Sequence, residues 1–121
     1  MSYRLEFEIK GLPRMANIAS GKSHWRYAHA EAQKWKQLVF FAVGSQKPIK
    51  PLDRVKLTLT RFSSVEPDFD GLVRGFKSVV DSLRHCGVMT DDKISNTGIW
   101  DCRWVKAPKN SGSIRVIVEE V

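Results

Sequence analysis

Apolar and polar positions alternate from Tyr3 to Ile9, placing Leu5, Phe7 and Ile9 on one face of a half-buried strand. Lys10-Gly11-Leu12-Pro13 breaks that pattern. From Ser23 to Val43 the period changes: Trp25, Ala28, Ala32, Trp35, Leu38, Val39 and Ala42 form the apolar stripe of a helix, with Ser23 as its N-cap. Residues 45–53 carry Pro48 and Pro51 and read as a loop. Alternation returns in Arg54–Phe62, with Val55, Leu57 and Leu59 on one face. Leu72, Phe76, Val79, Val80 and Leu83 then recur at helical spacing, and Gly87 supplies the stop. Ile99–Lys106 and Ser113–Val121 are two more strands, joined by a turn at Ala107–Gly112. As sequence neighbours they are expected to form an antiparallel hairpin. The order strand, helix, strand, helix, strand, strand predicts a single α+β domain over residues 1–121. Its two main helices pack on one face of a mixed or mainly antiparallel sheet.

Composition narrows the picture. With 42% hydrophobic and 27% charged residues the chain is globular. It has no apolar run long enough to span a membrane and no charged segment leading into an apolar one at its start, so a cytoplasmic protein is expected. Cys86 and Cys102 make neither a disulfide framework nor a zinc pattern, and two reduced, partly buried thiols are expected. His24, His29 and His85 are too scattered for a zinc site. The formal net charge of +7 points to a polyanionic partner. The excess is concentrated between Arg14 and Lys50, where Arg14, Lys22, Arg26, Lys34, Lys36, Lys47 and Lys50 face Glu31 alone. This stretch, with Asn17 in its early loop, is the expected phosphate-contacting surface, and binding through it should be salt-sensitive. Trp25 and Trp35 are expected in the core rather than stacked on bases.

Against that cationic background, five aspartates gather around the second helix: Asp68, Asp70, Asp81, Asp91 and Asp92. Asp68 and Asp70 are two apart, so in an extended segment both carboxylates share a face. Either is a natural N-cap, and the helix N-terminus favours their ionised form. Asp70, Arg74, Lys77 and Asp81 step by four, three and four along one polar stripe. Asp91 and Asp92 follow a tight Gly87–Thr90 connection that is expected to fold back and deliver a further ligand.

The run Asp68-Phe69-Asp70-Gly71-Leu72, then Lys77, then Asp81-Ser82-Leu83, then Gly87-Val88-Met89-Thr90-Asp91-Asp92 resembles the RusA family of Holliday junction resolvases. The likeness is strongest over residues 67–94. Gly11-Leu12-Pro13 to Asn17 looks like the family's early proline–asparagine loop. The resemblance implies a small homodimeric, magnesium-dependent endonuclease, with Mn2+ able to substitute, that nicks four-way DNA junctions in recombination and repair. It implies metal-ligand roles for Asp68, Asp70 and Asp92 and a catalytic cation at Lys77 or Arg74. The distance from Asp70 to Asp81 favours Lys77. Asp81 and Asp91 are expected to orient those groups. Gly71 stands where the family carries asparagine. The alternative expectation is a basic DNA-binding protein of the same fold without catalysis, or an RNA- or protein-binding module whose aspartates only cap a helix.

Overall fold

In the computed structural model, which describes residues 3–13, 24–91, 93 and 99–121, four strands form one mixed sheet with the helices against one of its faces. The strands are β1 (Arg4–Lys10), β2 (Val55–Ser63), β3 (Ile99–Lys106) and β4 (Ser113–Glu120). The helices are α1 (His24–Val43), α2 (Phe69–Gly75) and α3 (Lys77–His85), and a short 3-10 turn, Gly44–Gln46, follows α1. The order along the chain matches the predicted alternation.

Period-two patterning builds the sheet's inner face. Leu5, Phe7 and Ile9 of β1, Val55, Leu57 and Leu59 of β2, and Ile114, Val116 and Val118 of β4 are all buried. Trp100, Cys102 and Trp104 of β3 pack against the same cluster. Trp35, Val39 and Val43 of α1 close over them with Leu72, Phe76, Val79, Val80 and Leu83 of α2 and α3. Trp35 is fully buried, and its indole N–H donates to Glu31 Oε1 at 2.7 Å. The expectation of a core tryptophan therefore holds at Trp35. The outer face is polar, with Arg115 bridging to Glu8 at 2.7 Å and Arg103 to Asp101 at 2.7 Å.

Two expectations are corrected. The strand order is β1-β4-β2-β3, so β3 and β4 do not form a hairpin. β2 lies between them, parallel to β3 and antiparallel to β4. Residues 107–112 instead hook over the end of β2, where Ala107 N–H donates to the Ser63 carbonyl at 2.9 Å. Parallel pairing of β2 and β3 needs a long crossover, which α2 and α3 provide. β4 then fills the centre, bonded on both edges.

The second correction concerns the helix after β2, which is two helices. Phe76 N–H turns back to the Val73 carbonyl at 3.1 Å, and the regular ladder resumes with Val80 N–H to Phe76 O at 3.0 Å. Gly75, a weak helix former, sits at the joint. Beyond α3, Gly87 adopts φ +87 and ends the helix as expected. The chain then returns to the start of β2, where Leu52 N–H donates to Val88 O at 2.9 Å and Thr90 N–H to Leu52 O at 3.0 Å. Among the described residues no helix is long and apolar enough to cross a membrane.

Candidate metal and nucleic-acid site

The exit of β2 builds the acidic end of the molecule. After Ser63 the chain leaves the sheet, and Asp68 takes the N-cap position of α2 in extended backbone at φ −72, ψ 158. Its carbonyl accepts the Leu72 N–H at 3.0 Å, which starts the helix. Its carboxylate makes no capping bond. Among the described residues it accepts no hydrogen bond and forms no ion pair. Asp70 lies in the first turn, exposed, with Arg74 Nη2 2.9 Å from Oδ2. Directly after the joint, at the first residue of α3, Lys77 Nζ stands 3.1 Å from Asp81 Oδ1. The polar stripe predicted over Asp70, Arg74, Lys77 and Asp81 is therefore present as two successive carboxylate–cation pairs. Phe69, between the two aspartates, is 71% exposed.

The other acidic corner lies elsewhere. Asp91 sits at the far end of α3, with Oδ1 3.9 Å from Arg84 Nη1 and Oδ2 3.8 Å from Lys93 Nζ. Thr90, beside Asp91, bonds to Leu52 just before the start of β2, whereas Asp68 and Asp70 follow its end, and the strand between them spans roughly 26 Å at about 3.3 Å per residue. The crossover that makes β2 and β3 parallel thus separates the two acidic corners within one chain. Among the described residues no group of three or more potential ligands converges. Asp92, the predicted third ligand, lies outside the described residues.

The predicted cationic surface is partly described. Arg14, Asn17 and Lys22 lie outside the described residues. Arg26 is exposed near the start of α1, and Lys34 is exposed two turns further on. Ala32 and Lys36 of α1 share a cleft with Ser78, Asp81 and Arg84 of α3, whereas Phe40 and Phe41 share one with His85 and Cys86. The helices therefore run side by side in one direction, which puts Arg26 toward the same end as Asp68 and Asp70.

Cys86 and Cys102 are free thiols, as expected. Burial pushes both up, Cys102 to about 11 with the Asp101 charge adding to it. Sequence reasoning missed Arg61. It continues the Val55, Leu57, Leu59 alternation, so a cation occupies a core-facing position at the end of β2. That break in an apolar register was the available signal.

No family model matches the chain, and no curated protein matches it.

Proposed function

We propose that this protein is a magnesium-dependent endodeoxyribonuclease that cuts four-way DNA junctions by paired symmetric nicks as a homodimer, in recombination and repair. One observation carries the reading. Asp68, with no protein partner among the described residues, and the exposed Asp70 stand together at the start of α2, while Arg74 and Lys77 follow on the same helix. An all-oxygen, anionic donor pair suits a hard cation such as Mg2+, which keeps several waters and takes few protein carboxylates. When bound, the cation supplies polarisation of the scissile phosphate and a water acidic enough to attack it.

The chain's own residues supply the rest. Asp68 and Asp70 hold the cation. Lys77, with Arg74 in reserve, counters the charge that grows on the phosphate oxygens. Asp81 holds the Lys77 ammonium in place. Arg26, Lys34 and the cations of the preceding loop, Arg14 and Lys22 together with Asn17, grip the DNA backbone without reading its bases.

The separation of Asp91 from Asp68 and Asp70 by the length of β2 bears on how Asp92 takes part. Asp91 belongs to the far end of α3, and Asp92 is its neighbour in the sequence. A site using both corners draws Asp68 and Asp70 from one subunit and the Asp92 corner from its partner, and two-fold symmetry then gives two such sites.

Gly71, standing where the resembled family carries asparagine, favours the second reading, a basic DNA-binding protein without catalysis. Incubation with a mobile four-way junction beside linear duplex, with Mg2+, with Mn2+ and with neither, separates the two. Paired nicks that need the metal support the nuclease. Tight junction binding with no nicking under any metal supports the second reading.

A further inference from the structure

Arg61 is 8% exposed on the helix-covered face of the sheet. Its Nη1 donates to the Pro13 carbonyl at 2.9 Å, and its Nε is buried with no acceptor among the described residues. Among the described residues no carboxylate pairs with it. The sequence has no acidic residue between Glu8 and Glu31, so the loop that follows Pro13 brings none. Burial lowers its pKa, but an arginine keeps its proton at neutral pH. A charge held away from water without a counter-charge is costly, and buried charges are ordinarily paired.

The same side chain lines a cavity of about 350 Å3 together with Leu12, Ser63, Ser64, Lys109 and Asn110. Among the described residues no carboxylate lines it. The Ser63 hydroxyl is already committed, donating to the Val65 carbonyl and accepting the Trp104 indole N–H, both at 2.9 Å. Ser64 is exposed, and so is Lys109, which forms no ion pair among the described residues. Lys109 and Asn110 are presented by a tight turn in which Ser111 N–H bonds to the Pro108 carbonyl at 3.0 Å and Asn110 adopts φ 70. The cavity therefore combines a buried planar cation, an exposed ammonium, the Ser64 hydroxyl and an amide. That is a donor set for a tetrahedral oxyanion. It opens at the exit of β2, and Ser64 to Pro67 lead directly from it to Asp68.

We propose that this cavity is an anion subsite that takes a backbone phosphate of the nucleic-acid substrate, with Arg61 as its buried charge and Lys109 at its mouth. The choice of a DNA phosphate rests on the nuclease reading; the anion site itself does not. A phosphate seated here would anchor the strand a short distance from the Asp68/Asp70 pair and set which phosphodiester reaches it.

The test has two arms, both without divalent metal so that binding is read apart from cleavage. In the first, thermal unfolding is followed with inorganic phosphate against chloride at matched ionic strength. Phosphate should raise the wild-type Tm, and Arg61→Gln and Lys109→Ala should lose most of that rise. Lys109→Ala removes no packing, so it carries the test if Arg61→Gln does not fold. In the second arm, four-way junction binding is measured by fluorescence anisotropy across a salt series. Lys109→Ala should weaken binding about 3- to 10-fold and lower the slope of log affinity against log salt by about 1. A wild-type Tm that rises no more in phosphate than in chloride overturns the anion site. Phosphate binding lost in the variants while junction affinity and salt slope stay unchanged overturns the assignment to the DNA backbone. Failure of metal-dependent nicking leaves both arms standing, so the two readings fail separately.

Discussion

Mixing two inactive variants gives the sharpest test of how the carboxylates assemble. Asp70→Asn removes one charge from an exposed pair, Asp70–Arg74 at 2.9 Å, whose side chains are 70% and 56% exposed. Such a pair contributes about 0.3–0.5 kcal/mol, so Tm should move by no more than about 2 °C. Loss of activity then reflects chemistry rather than unfolding. Nicking should fall at least about 1000-fold, equivalent to about 4 kcal/mol of barrier. Junction binding should hold or tighten, because less negative charge faces the DNA. Asp92→Asn should behave alike. If each site spans two subunits, a heterodimer of Asp70→Asn and Asp92→Asn has one site with both defects and one site with neither. Equal mixing with free subunit exchange makes about half the dimers mixed, which restores about a quarter of the wild-type sites. The assay is junction cleavage resolved by strand on a denaturing gel, where the mixture should give single nicks rather than paired ones. A mixture no more active than its parents would refute assembly across the dimer. A parent that cuts normally alone would refute the metal assignment.

Four further outcomes follow from the packing and the titrations. Gly112→Ala places a methyl 2.6 Å from Leu12 Cδ1 and 2.7 Å from its Cγ, so it should cost about 1–3 kcal/mol, read by chemical denaturation. Leu59→Ala, fully buried on the central strand β2, should cost about 2–5 kcal/mol, with an unchanged denaturant slope marking lost packing. Cys102, held up to about 11, should react with iodoacetamide at pH 8 about a hundredfold more slowly than a free thiol, and equal rates would contradict its burial. Its raised value in the folded state also means the folded protein holds that proton more tightly. Stability from this group is full below about pH 9, the ordinary thiol range, and declines toward about pH 11, and Cys102→Ser should flatten the decline.

Much of the local structure was legible in the chain itself. The alternation in residues 3–9, 54–62 and 113–121 is the inner face of the sheet, because a strand shows opposite faces with period two wherever only one is buried. Trp35 and Val39 lie on the predicted apolar stripe of α1 and are fully buried. The Asp70–Arg74 and Lys77–Asp81 pairs followed from helical spacing alone. Strand pairing was not legible in this way. Nothing local in β3 or β4 states that each prefers β2 to the other, since pairing depends on which edges are free once the whole sheet has formed.

By its own periodicities the chain determined which residues face inward, which segments are strand and which are helical, and that acid gathers within an otherwise basic sequence. Those are properties of neighbours along one segment, and side-chain geometry sets them directly. Only the tertiary structure decided that β2 separates β3 from β4, and that the helical crossover carries Asp91 away from Asp70. It alone turned Arg61 from one more strand residue into a buried charge facing a cavity. Such relations join residues far apart in the chain, so they exist only once every element has been placed against the others.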